Sequence, residues 1–253
     1  VGSEMCIRDS INNDTKEVKL VSVYRDTYLD TGDGIFQKCN AAYAKGGPEQ
    51  AISMLNVNLD LNITDYVTVD FNSIIECVDL LGGVDMEITD DEASLMTGYI
   101  RELNELTGNK AENLTQGGTY TLNGVQACAY ARIRYGGGDD YRRTERQRTV
   151  LTAMVKKAQQ SDLTTVNKLI NEVCGDIQTS FSNAELLALA SQVFQYSIGD
   201  TTGFPFTKTT RVLSKKTGDV VIPCDLSDNV KELHIFLYED SAYTASDTCL
   251  LYT

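Results

Sequence analysis

Apolar residues in this chain come in short runs whose period switches between that of a strand and that of a helix. Val18 to Tyr24 (VKLVSVY) reads as a largely buried strand, preceded by the turn-forming Asn12-Asn13-Asp14. It delivers Arg25-Asp26-Thr27 to a strand's carboxyl end, where open α/β sheets usually bind ligands. After a Gly/Asp-rich loop from Asp30 to Gly34, a helix is predicted to open at Pro48 and run to about Val57. Tyr66 to Phe71 reads as a second strand and 72–81 as a helix ended by Gly82-Gly83. Val84 to Ile88 is the third strand. The stretch 89–118 is polar and irregular, with one short helix near 92–106, and stands as a candidate lid or insertion.

Further helices are predicted over Leu122 to Ala131, capped by Asn123, and from beyond Asp140 to about Gln160. The second carries a core stripe of Val150, Leu151, Met154, Val155 and Ala158. Helices near 162–173 and 183–197, strands near 206–213 and 219–223, and a last helix near 226–238 complete the pattern. Strands alternating with helices imply an α/β fold, a layered α-β-α sandwich around a central mixed sheet. Val1 to Ser10 shows no clear helix or strand period and no signal-peptide order. It and 249–253 are set aside as non-native ends, which leaves one domain over 11–240.

Composition narrows the class. The formal charge of −14 disfavours nucleic acid, and an acidic surface suits an anionic leaflet no better. No run approaches the roughly 18–20 apolar residues that a membrane span needs. The cysteines form no C-x-x-C pair, and the lone His234 sits in an amphipathic stretch where packing is the simpler role. A zinc site and a His-based triad are therefore disfavoured.

Positive charge is unevenly placed: six of the ten arginines fall between Arg132 and Arg148. Arg143, Arg146, Gln147 and Val150 have i, i+3, i+4, i+7 spacing, so one helix face carries them, and Val150 turns that face inward. Cations near a helix N-terminus oppose its dipole, at about 0.3–1 kcal/mol each, unless an anion binds there. Arg132 and Arg134 can converge from the other side of the glycine loop. Two readings stay open: a pyrophosphate site, or a solvated basic face pairing with Glu145, Asp139 and Asp140.

The order of motifs resembles the LytR-CpsA-Psr family over most of 11–240. The matching pieces are Val23-Tyr-Arg25-Asp26-Thr27, Lys38-Cys-Asn40-Ala-Ala-Tyr43-Ala-Lys-Gly-Gly47, Val69-Asp70-Phe71, and Val78-Asp79-Leu-Leu-Gly82-Gly83-Val84-Asp85. Leu122-Asn-Gly124 with Tyr130-Ala131-Arg132-Ile-Arg134, and Asp140-x-x-Arg143-x-x-Arg146-Gln147, follow in the family's order. The resemblance implies an extracytoplasmic, membrane-anchored enzyme whose N-terminal helix is missing from this chain. It would move a glycopolymer, such as teichoic acid or capsule, from undecaprenyl pyrophosphate to peptidoglycan, with the polyprenyl tail in a hydrophobic pocket.

Carried over by residue, Arg25, Arg132, Arg134 and Arg146 would grip the pyrophosphate. Arg143 and Gln147 are second candidates, and Lys38 and Asn40 would meet phosphate or glycan. Asp26 would orient Arg25, assist the acceptor hydroxyl, or cap the turn. Asp140 is expected to cap the long helix or orient an arginine. The family's Mg²⁺ ligands would lie upstream of Ile11, so none is expected here, Asp9 being at the wrong distance. The chain is therefore expected to show little Mg²⁺-dependent turnover beside an extended one. Arg148 departs from the family, which more often has glutamine. A noncatalytic module binding polyprenyl pyrophosphate or anionic glycan, and a pyrophosphatase, are the alternatives.

Overall fold

A computed structural model describes residues 6–12, 14–134, 140–173 and 177–246. The chain opens with β1 (Cys6–Ile11), β2 (Glu17–Val23), β3 (Tyr28–Asp30), β4 (Phe36–Lys38) and α1 (Asn40–Leu59). Then come β5 (Val67–Thr68), α2 (Phe71–Leu80), β6 (Val84–Ile88), α3 (Asp90–Thr107), β7 (Gly118–Leu122), α4 (Gly124–Arg132) and α5 (Asp140–Gln160). It continues through α6 (Leu163–Val173), β8 (Gln178–Thr179), α7 (Asn183–Ser191), β9 (Ser197–Phe204), β10 (Lys208–Ser214), β11 (Gly218–Pro223) and α8 (Leu226–Tyr238). The expected α/β class with a mixed sheet is what the chain forms. It divides into two compact units, one made of the segments up to Tyr66 and from Ser197, the other of Val67–Tyr196.

The first unit is built on the mixed sheet β1-β2-β9, with β1 antiparallel and β9 parallel to β2. Leu20, Val21, Ser22 and Val23 are all buried, which is why β2 reads as a continuous rather than alternating run. No strand period marks 1–10, yet Cys6–Ile11 pairs residue for residue with Val18–Val23 of β2. The pairing is set by β2 and by the intervening turn, where the Asn12 side chain accepts from the Asp14 and Thr15 N–H groups. Met54, Leu55 and Leu59 of α1 and Val230 and Leu233 of α8 share one core with Val21, Val23 and Phe204. His234 packs there as expected: Nε2 lies 3.0 Å from the Leu59 carbonyl and its ring stacks on Tyr243 at 3.7 Å. α1 starts earlier than predicted because a helical turn from Asn40 precedes the break at Gly46-Gly47. Gly47 takes φ 68° there, and Pro48 opens the second segment as read.

The second unit packs α2, α3, α4 and α5 with the antiparallel pair β6–β7 around one core. β6 alternates as a half-buried strand should, with Val84, Met86 and Ile88 inward and Asp85 and Glu87 outward. α2 is capped by Asp70, whose carboxylate accepts from the Ser73 N–H. α4 is capped by Asn123 as predicted, with Gln126 completing the reciprocal box. Gly124 is required sterically: a Cβ there would stand 2.2 Å from the Ile75 carbonyl of α2. The stretch read as a lid differs most from expectation. α3 is an 18-residue helix with its own Thr89/Glu92 capping box, and it buries Ala93, Met96, Ile100 and Leu103 in the unit's core. Those four are spaced i, i+3, i+7, i+10, one apolar stripe that its many surface charges obscure in a local reading.

Candidate functional site

In the first unit the chain leaves β2 and turns back under itself. Tyr24 N–H donates to the Phe204 carbonyl, Thr27 N–H to Tyr24, and Asn40 N–H to Arg25. The buried Cys39 thiol lies 3.1 Å from both the Tyr24 and the Arg25 carbonyls, so the start of α1 seats the Arg25-Asp26 turn. Asp26 pairs with Lys38 at 3.2 Å, each side chain about one-quarter exposed. Lys38 therefore stands beside Asp26, and Asn40 is half-buried where α1 begins. Arg25 is half-buried too.

In the second unit the long arginine helix is more deeply seated than its composition suggests. Arg143 is 1% exposed, Arg146 7% and Val150 3%, so the face predicted from their spacing does turn inward. The Arg146 Nε donates to Glu92 at 3.2 Å, and its guanidinium lies 5.9 Å from the centre of the Tyr130 ring. Gln147 is half-buried, and its carbonyl oxygen is buried without a hydrogen-bond partner among the described residues. Arg134 is exposed, two residues beyond the end of α4. Asp140 begins α5, but its side chain lies outside what the structure describes, as do 135–139, so the expected pairing with Asp139 and Asp140 does too. Glu145 is exposed.

Arg132 has the most distinctive setting. It ends α4, with its guanidinium 4.9 Å from the Phe71 ring centre and 5.5 Å from that of Tyr99. One amino group, Nη2, donates to Glu102 at 2.9 Å. The other, Nη1, is buried with no hydrogen-bond partner among the described residues. A desolvated donor held by two aromatic faces and one carboxylate is prepared for an anion, because an unmade bond to a buried charged group costs about 1–3 kcal/mol or more. The two carboxylates here, Glu92 and Glu102, went unforeseen. Both belong to α3, and with Tyr99 they stand seven and three residues apart, close to one side of that helix.

Cys128, on α4, is no nucleophile: burial pushes its thiol up to about 12, with Arg132 opposing and Asp79 adding to the rise. A groove of about 430 Å³ opens along α2, lined by Asn72, Ile75, Glu76, Asp79, Leu80 and Asn109, and its carboxylates do not suit an anion. Among the described residues no three or more His, Cys, Asp or Glu side chains come together as a metal site. Among the described residues no helix is long and apolar enough to cross a membrane.

Comparison with known proteins shows which family the chain resembles along its length. The model of the LytR_cpsA_psr family matches residues 4–212. The polyisoprenyl-teichoic acid–peptidoglycan teichoic acid transferase TagV of Bacillus subtilis is 29% identical over 192 residues, 74% of this chain and 47% of that protein. The chain thus spans about half the length of the curated relatives it matches. The crystal structure of B. subtilis TagV superposes with a TM-score of 0.73 at 26% identity, covering 96% of this chain and 91% of that one. YwtF (TagT) with bound octaprenyl pyrophosphate lipid gives 0.68 at 22% identity, covering 94% and 85%.

Proposed function

The chain belongs to the LytR-CpsA-Psr family, and from that premise we propose that it transfers a glycopolymer from undecaprenyl pyrophosphate to peptidoglycan. The observation that carries this reading is Arg132: a guanidinium gripped by Phe71, Tyr99 and Glu102, with Nη1 buried and unpartnered among the described residues. The names of the relatives support it, since one is a teichoic acid transferase and a structural neighbour holds a polyprenyl pyrophosphate. With a lipid-borne donor and a wall acceptor, the protein works at the extracytoplasmic face of the membrane.

In the proposed reaction an acceptor hydroxyl on peptidoglycan attacks the phosphorus that bears the glycan. A new P–O bond forms, and the bond to the second phosphate breaks, releasing undecaprenyl phosphate. The acceptor gives up its proton, and Asp26, paired with Lys38, is the carboxylate we assign to take it. Charge gathers on the nonbridging oxygens as the bond breaks, and fixed guanidinium donors stabilise it without reorganising. Arg132 and Arg146 are the donors we assign to that role. Mg²⁺ in the family would add charge neutralisation, but no step here is assigned to residues holding it.

The test is a three-way assay with an undecaprenyl-pyrophosphate glycan, Mg²⁺ and a peptidoglycan acceptor. Acceptor-bound glycan is the expected product, and Arg132→Ala should abolish it while leaving the thermal transition within a few degrees. Undecaprenyl phosphate formed without acceptor would make the protein a pyrophosphatase. Donor retained without product would make it a binding module.

A further inference from the structure

The chain's acidity is not shared by the hairpin β10–β11. Lys208, Arg211, Lys215 and Lys216 fall within 208–223 against the single acid Asp219, in a chain of net charge −14. Every residue from Thr209 to Lys216 is exposed, on both faces of the strand. Two of them are large and apolar, Val212 at 63% and Leu213 at 39% exposure. They sit at a bulge: Val212 pairs with Asp219 and Ser214 with Gly218, so Leu213 is an extra residue that re-aims the strand. The turn is closed locally, with the Ser214 hydroxyl bonded to Thr217 and Gly218 at φ 70°, and it presents Lys215 and Lys216. At the root, Val220 and Val221 are buried, Val221 N–H donates to the Asp26 carbonyl, and Val221 bridges Thr27.

A two-stranded ribbon exposed on both faces is marginal by itself, and exposed valine and leucine at its end gain nothing from water. We propose that the outer half of this hairpin is a membrane-contacting arm, in which Val212 and Leu213 enter the headgroup layer of an anionic bilayer while Arg211, Lys215 and Lys216 meet lipid phosphates. Apolar side chains flanked by cations whose stems can snorkel are the composition of an interfacial element. A soluble polyanion would use the cations but leave Val212 and Leu213 in water, so a bilayer matches the arm better. Scale agrees as well. Val221 is three positions along the strand from the turn at Gly218, so at about 3.4 Å per residue the lysines stand on the order of 10–15 Å from the Asp26 turn. The proposal stands apart from the transfer reaction, because bilayer affinity is measured with no glycolipid present.

The full chain is mixed with vesicles of phosphatidylglycerol or of phosphatidylcholine, and sedimentation is read at low and at 0.5 M salt. Partition into phosphatidylglycerol alone, weakened by salt, is expected. A cation near an anionic surface contributes about 1 kcal/mol, or fivefold, so K215A/K216A should weaken partition roughly 30-fold. V212S/L213S should weaken it at least tenfold. The chain has no tryptophan, so Leu213→Trp reports on the arm alone, and its emission should shift to the blue on adding phosphatidylglycerol vesicles. No partition, partition indifferent to both double variants, or an unmoved Leu213→Trp emission would each overturn the proposal. Lysine-dependent capture of soluble poly(glycerol phosphate) with that emission unmoved would instead assign the arm to a polymer.

Discussion

At the scale of single residues, the guanidinium of Arg132 is positioned by two kinds of partner with different consequences. Phe71 and Tyr99 fix its plane, whereas Glu102, half-exposed, neutralises part of its charge at the surface. Exposed ion pairs contribute only about 0–1 kcal/mol, so Glu102 is worth little to stability but competes directly with an incoming anion. Glu102→Gln keeps a hydrogen-bond acceptor and removes that competition. Its affinity for inorganic pyrophosphate, measured by calorimetry, is expected to rise about two- to fivefold, within the range of such a pair. Arg132→Lys should weaken it, because an ammonium cannot serve Glu102 and a ligand with a planar fork while stacked on the rings. A fall in Glu102→Gln would mean that the carboxylate orients the arginine more than it opposes the ligand. The arginines themselves were legible, since i, i+3, i+4, i+7 spacing placed Arg143 and Arg146 on the face of Val150. Their acidic partners were not, because Glu92 and Glu102 stand 54 and 30 residues from the arginines they meet.

At the scale of elements, legibility follows how local each element's cause is. β6 and α8 carry their own period and caps, and the residues forecast for them are the ones that form them. β9 does not. Its Gly199, Asp200 and Gly203 have low strand propensity, and no strand was predicted over 197–204, yet it is the parallel neighbour of β2. The glycines answer to neighbours: a Cβ at Gly203 would stand 2.2 Å from the Tyr24 hydroxyl, and one at Gly199 2.1 Å from the Glu17 carboxylate. α3 was legible as a helix near 92–106 but not as a core element, since its charged surface hides the stripe of Ala93, Met96, Ile100 and Leu103. Glu92 joins that helix to the arginine cluster, accepting from Thr89 at the cap through one oxygen and from Arg146 through the other. Its side chain is 12% exposed and that of Arg146 9%. Glu92→Ala removes a carboxylate partner of a buried guanidinium and the acceptor of the capping box together, so it is expected to cost about 3 kcal/mol in urea unfolding. A loss under 1 kcal/mol would mean that water reaches Arg146 and that the pair is not sealed.

At the scale of the whole molecule, the two compact units differ in how the chain makes them. The first is assembled from both ends, and its sheet needs β9 from beyond residue 196 to flank β2. The second is one uninterrupted segment, and its core, from Ile75 to Val150, draws on no residue outside it. The cap of α2, the box of α3 and the box of α4 all lie within it too. A contiguous segment with its own closed core and satisfied helix ends has what independent folding requires. Residues 67–196 expressed alone are therefore expected to be helical by circular dichroism and to unfold in one cooperative thermal transition. Ile100, 1% exposed, supplies the control: Ile100→Ala should remove about 2–5 kcal/mol from the segment, as large-to-small core substitutions do. A broad, non-cooperative melt, or one that ignores Ile100→Ala, would show that this core is not complete without the rest of the chain.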